Sequence, residues 1–299
     1  MKQQIVLIGT GRVGAAVGKR LQDAGYPMVA VISREQHHAE DAVSFIGCDP
    51  QAATTDLAQA EKGDIILLAL PDDQIGPMAK RLQEDFDLVE GTTLVHFSGL
   101  HPASIMSVDD SNCAAVSIHP LLSFADREIA AASLHDCPCA VEGDALALSC
   151  AEELVRAMGG QSFHLPTEVK SLYHAAACIA SNYLVTITAS ARDLLIRCGF
   201  EQQQAMKLLI PIHRATSNNL MQLNPETALT GPIVRGDSGT IEQHLRALKE
   251  QMPELLELYR SVGKQTVALA TASGRLEREH AIKLRKHLTE DKNNETDPH

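Results

Sequence analysis

The sequence predicts an α/β domain built on a parallel sheet, followed by an all-helical second domain. Three observations carry this reading. Short apolar runs alternate with helical patterns through the first half. A glycine-rich turn joins the first run to the first helix, and from about Thr167 long helical periodicity replaces the apolar runs. The 299 residues suit two domains at roughly 150 residues each.

Ile5 to Ile8 reads as the first buried strand, and residues 12–24 as an amphipathic helix stopped by Gly25. Strands are predicted at Met28–Ile32, Ile65–Leu70 (ending at Pro71), Thr93–Phe97, Ala114–Ile118 and Cys139–Val141. Residues 145–158 form a helix closed by Gly159 and Gly160. The boundary falls near Leu165–Pro166, giving domains 1–165 and 166–288. Beyond it, residues 167–198 carry one long helical pattern ending at Gly199, a favoured residue just past a helix end. A second helix over 201–222 contains Pro211, which predicts a kink. After a turn-rich stretch from Asn224 to Gly239, helices follow at about 240–252, 254–273 and 275–288. Residues 289–299 are too polar to pack and are expected to be disordered.

Composition excludes several classes. A net charge of −12 opposes binding to nucleic acid or an anionic membrane, since either needs a basic face. Six Phe, four Tyr and no Trp leave few stacking platforms for single strands. Hydrophobic residues at 44% suffice for real cores, yet no apolar stretch is long enough to span a bilayer. Seven cysteines without a paired CxxC array fit reduced thiols rather than disulfides or zinc. The N-terminus lacks a signal-peptide pattern. A cytoplasmic protein without a metal is expected.

Gly9-Thr10-Gly11-Arg12-Val13-Gly14 is a GxGxxG between the first strand and the first helix, which makes the first domain Rossmann-type. In that setting the first glycine turns the chain and the second lets the backbone approach a pyrophosphate. The third lets helix and strand pack closely, and the helix N-terminus offers N–H groups to the phosphates. The second strand ends at Ser33-Arg34, a hydroxyl and a guanidinium suited to a 2′-phosphate. NADP is therefore the expected cofactor. Glu35, one place later, keeps NAD as an alternative through the ribose hydroxyls.

The GxGxxG, Ser33-Arg34 and a strand running into Ala69-Leu70-Pro71-Asp72-Asp73-Gln74-Ile75 together resemble the short Rossmann domains of three groups. These are pyrroline-carboxylate reductase, ketopantoate reductase and the β-hydroxyacid dehydrogenases. Leu70 and Pro71 are assigned to the cofactor site on this ground. Further segments resemble an uncharacterised bacterial family pairing a Rossmann-like domain with a C-terminal helical domain of unknown function. They are Phe97-Ser98-Gly99, His119-Pro120-Leu121-Leu122-Ser123-Phe124, Lys170 to Ala177, Ser181-Asn182-Tyr183-Leu184 and Ala228 to Asp237. The resemblance implies a second domain similar to the C-terminal domain of 6-phosphogluconate dehydrogenase, and it leaves a deazaflavin as a further alternative cofactor.

The related dehydrogenases carry a Lys where this chain has Lys170, with an Asn one turn later; here that place is His174. At about 100° per residue, His174 falls about 40° from Lys170 and Ser181 about 20°, so amine, imidazole and hydroxyl share one helical stripe. Asn182 lies near 120°. Lys170 and His174 are the candidate catalytic residues, Lys170 as a proton donor. Ser98, Gly99 and His119 follow strands at the sheet edge where ligands bind, and with Ser181, Asn182 and Arg235 they are assigned to substrate. His96 and His101 read as turn residues. Asp237 is placed to cap the helix starting near Thr240, with Arg235 either free for a carboxylate or paired to it.

The expected function is NADP-dependent oxidation or reduction of a small polar metabolite in the interdomain cleft, at a carbonyl/alcohol or imine/amine centre of a carboxylate. Alternatives are a prephenate-dehydrogenase-like NAD enzyme and a non-catalytic NADP-binding sensor. The Ala- and Leu-rich helical half predicts a homodimer through the C-terminal domain.

Overall fold

The computed structural model describes residues 2–109 and 111–289. Strands and helices alternate from the start: β1 (Ile5–Ile8), α1 (Arg12–Asp23), β2 (Met28–Ile32), α2 (Gln36–Ile46), β3 (Ala53–Thr54), β4 (Ile65–Leu68), α3 (Asp72–Asp85) and β5 (Thr93–His96). Next come β6 (Ala114–Pro120), α4 (Arg127–Ser133), β7 (Pro138–Gly143), α5 (Ala145–Met158), β8 (Gln161–His164) and α6 (Lys170–Ala180). The strands form one sheet in the order β3-β2-β1-β4-β5-β6-β7-β8. Every pairing is parallel except β6 with β7, whose register sets Ser117 opposite Glu142 and His119 opposite Ala140. The sheet is thus parallel, as the sequence predicts, apart from this one pairing. β8 was not foreseen, because its four residues are all exposed and carry no apolar run.

Successive side chains point to opposite faces of a strand. Ile5 and Leu7 accordingly join Val17, Leu21, Ile46 and Leu154 on one face, while Val6 and Ile8 join Ile75, Ala79 and Leu82 on the other. Helices cover both faces, which is why β1 and β4 are continuously apolar.

The chain divides into two compact units, one ending at Asn182 and the other starting at Tyr183. The sequence placed this division near Leu165. The first unit runs on through α6 because that helix begins with a residue anchored in the sheet. The continuous helix expected over 167–198 is interrupted: α6 ends at Ser181 (φ −115°, ψ −69°) and α7 spans Asn182–Arg197. Ser and Asn side chains compete with helix hydrogen bonding, and they stand together at this break.

The second unit continues with α8 (Gln202–Gln222), α9 (Pro225–Ala228), α10 (Ser238–Gln251), α11 (Leu256–Ala272) and α12 (Arg278–Thr289). Pro211 lies inside α8. Ile241, Val267, Leu284 and Leu288 form the core of α10 to α12. The expected disordered tail lies outside the described residues, apart from Thr289, which closes α12.

Candidate functional site

The phosphate-type loop has the sterics its glycines require. Gly9 holds φ at +100°, and a Cβ there would stand 2.3 Å from the Ala69 carbonyl oxygen. A Cβ on Gly14 would stand 2.2 Å from the Gly9 oxygen, so loop and helix meet without room for a side chain. Gly11 faces open space, with nothing within 4 Å. It is the N-cap of α1 and provides no side-chain cap, and the first turn carries no acidic residue. An anion is the natural complement of such a terminus. Leu70 packs near Gly9, and Pro71 is the N-cap of α3. The loop is tied to the end of β2 by the Thr10 hydroxyl, which donates to Ser33 Oγ over 3.2 Å. Arg34 is exposed and makes no ion pair among the described residues. These residues fit a dinucleotide phosphate.

A cavity of about 740 Å³ opens beside this loop within the first unit. Arg12 lines it, as do residues 121–125, His119, Tyr173, His174, Cys178, Ser181 and Asn182. His119 sits near the C-terminal end of β6, the end at which ligands of such sheets bind. Its Nδ1 lies 2.9 Å from the Tyr173 hydroxyl, and its ring meets the His174 ring edge-on at 5.9 Å. Burial pushes the His119 imidazole down to about 4, with His174 and Lys170 adding to the effect.

Gly99 is what lets the two imidazoles come together. A Cβ at that position would lie 2.6 Å from Cδ2 of His174 and 2.7 Å from Nε2 of His119. Ser98 acts within the loop: its hydroxyl accepts from the backbone N–H groups of Leu100 and His101. Its own N–H donates to Nδ1 of His96, and His96 Nε2 lies 3.2 Å from the Pro102 carbonyl. His96 is therefore a fully enclosed neutral ring, pushed down to about 3 by burial. It is neither a surface turn residue nor a ligand group.

Lys170 departs from the sequence expectation of a side chain presented to substrate. It is 2% exposed, and Nζ donates to Ser117 Oγ (2.6 Å) and Glu142 Oε1 (3.0 Å). It is absent from the cavity wall. Burial lowers its pKa, opposed by the charge of Glu142. Glu142 also accepts from the Ala103 N–H (2.7 Å) and the Thr167 hydroxyl (3.0 Å). The shared stripe is half realised: His174 reaches the cavity, and Lys170 anchors the helix that carries it. Ser181 lines the cavity from the helix break, and so does Asn182 at the start of α7.

Arg235 belongs to the second unit, where it is exposed. Asp237 does cap α10, accepting from the Thr240 N–H over 3.0 Å; hydrogen bonds from Thr240 hold its carboxyl low, and the Arg235 charge adds to this. Glu35, His37 and His38 bring one possible ligand atom each within 4.8 Å of one another, all exposed. The sequence reading passed over this cluster, as it did Tyr173 and Glu142. A hydroxyl one residue before His174 was the available signal for Tyr173.

Residues 1–120 match the family described as a Rossmann-like domain, and residues 137–266 match the domain of unknown function DUF2520. No curated protein matches the chain. Among solved structures, a candidate NADP oxidoreductase from Bacteroides fragilis is 21% identical, with TM-score 0.74, over 90% of this chain and 98% of that one. A Thermotoga maritima protein is 24% identical, with TM-score 0.69, over 90% and 99%. Plasmodium falciparum pyrroline carboxylate reductase, solved with NADP bound, is 10% identical, with TM-score 0.59, over 96% and 98%. At these identities the likeness is one of fold. The chain thus joins a Rossmann-like domain to a DUF2520 domain, the pairing its motifs resemble.

Proposed function

We propose that the chain is an NADP-dependent oxidoreductase acting on a small polar metabolite, at a carbonyl/alcohol or imine/amine centre of a molecule bearing a carboxylate. The observation that carries this reading is a single cavity with Arg12 of the glycine loop on its wall together with His119, Tyr173 and His174. A nicotinamide cofactor would supply or accept hydride there. Gly11 and the α1 N-terminus would hold its phosphates, and Ser33 with Arg34 the 2′-phosphate. The cavity wall has no carboxylate and carries one guanidinium and two imidazoles, a lining suited to an acid anion. The fold shared with NADP-binding reductases supports the same class.

The same reading makes the protein a cytoplasmic homodimer. Seven free cysteines suit a reducing compartment, and α7 and α8 carry apolar side chains that a second copy would cover.

Fluorescence titration tests the cofactor assignment. NADPH should bind at least about tenfold tighter than NADH, or about 1.4 kcal/mol for one charge-assisted contact, and Arg34→Asp should reverse the order. Equal affinities would overturn the NADP assignment. NADPH oxidation by a panel of α-oxo acids and cyclic imino acids tests the reaction, and binding without turnover would make the protein a sensor.

A further inference from the structure

The polar groups on and behind the cavity wall differ in their ability to give a proton. Lys170 is closed off and committed to Ser117 and Glu142. His119 is held neutral by burial, so its imidazolium form is not at hand near neutral pH. Tyr173 stands apart. Its ring meets His119 edge-on at 5.5 Å and 89°, and Phe163 meets it edge-on at 6.1 Å, so the phenol is held in orientation. Its hydroxyl lies 2.9 Å from Nδ1 of His119 in a residue that lines the cavity. Burial, with the thiols of Cys139 and Cys137 nearby, raises the phenol to about 12, so it carries its proton throughout the physiological range.

We infer that Tyr173 is the proton donor of this site and that His119 positions it, donating from Nδ1–H to the phenol oxygen so that the phenolic hydrogen faces the cavity. The inference rests on the reductase reading and names the acid that reading needs. In the reducing direction the substrate carbon gains a hydride with its two electrons from the reduced cofactor, and the π pair of the C=O or C=N bond moves onto oxygen or nitrogen. That atom takes the proton from Tyr173 Oη. The phenolic O–H bond breaks with its electron pair left on oxygen, and water later returns the proton. An alkoxide is more basic than a phenolate, so the transfer runs downhill. The phenolate keeps the Nδ1–H of His119, a bond that strengthens as the charge develops.

Nitrogen NMR of the full chain without cofactor tests the pair itself. The His119 ring should carry its hydrogen on Nδ1, and Tyr173→Phe should shift that resonance. A hydrogen on Nε2, or an unmoved resonance, overturns the inference. NADPH oxidation with the α-oxo acid and cyclic imino acid panel tests the donor. Tyr173→Phe should slow single turnover by roughly 10²–10⁴-fold, with NADPH affinity and melting temperature unchanged. Equal rates in the variant and the wild type overturn the donor assignment and leave the reductase reading standing. A wild type that binds NADPH but turns over none of the panel overturns that reading, and the donor assignment falls with it.

Discussion

Nζ of Lys170 lies 3.0 Å from Oε1 of Glu142, with 3% and 6% of the two side chains open to solvent. Removing one partner from a buried pair strands the other's charge, at a cost of about 3–5 kcal/mol. Lys170→Met should cost about that much in urea unfolding, whereas Lys170→Met with Glu142→Gln should recover a large part of it. Additive losses would show that the two side chains do not act as a pair.

Acid should unfold the protein early. His96 and His119 titrate at about 3 and about 4 in the fold, against about 6.5 in an unfolded chain. Their contribution is complete above about pH 6.5 and is lost as pH falls toward 4, because the unfolded state binds protons first, at up to about 1.4 kcal/mol per pH unit for each ring. The urea midpoint should therefore fall steeply over that window. His96→Asn should flatten the slope, and an unchanged slope would count against a buried neutral His96.

Two neighbouring glycines should fail differently. Gly11→Ala places a methyl in open space at an ordinary φ of −68°, so stability should change by less than about 0.5 kcal/mol while NADPH binding weakens tenfold or more. Gly14→Ala forces its methyl onto a backbone oxygen, and the fold itself should lose about 1–3 kcal/mol. Paired thermal melts and titrations separate the two outcomes.

No residue of α7 is buried, and Ala205 alone is buried in α8. Val185, Ile212 and Met221 are 68%, 63% and 72% exposed. Helices gain most of their stability from packing an apolar face, so these two need a cover. Light scattering at micromolar concentration should give about twice the 32.3 kDa chain mass, and Leu208→Glu with Ile212→Glu should give monomers. A monomeric wild type would sink the dimer.

The glycine loop, β1, β2, β4 and the Asp237 cap were legible because each is local: a turn chemistry, an apolar run or a cap declares itself within a few residues. The direction of β7 was not, since strand pairing is a property of the sheet. Lys170 illustrates the same limit at the site. Helical periodicity put it on a face with His174, but whether its amine meets solvent or Glu142 depends on a strand nearly thirty positions earlier. Tyr173 gives no local signal because its partner, His119, lies 54 positions earlier in sequence.

The hydrogen bonds around Lys170 also bear on inheritance. Ser117 falls in the segment matching the Rossmann-like family, whereas Glu142 and Lys170 fall in the DUF2520 segment. β7 and β8 belong to that second segment as well, yet they complete the sheet of the first. The seam drawn by sequence families therefore runs through the middle of a folded body. A recombination event at that seam would deliver a sheet without its last strands and a Ser117 hydroxyl without its amine. The two segments must then descend together, and a viable exchange of the helical half would have to cut near Asn182, where the first unit ends.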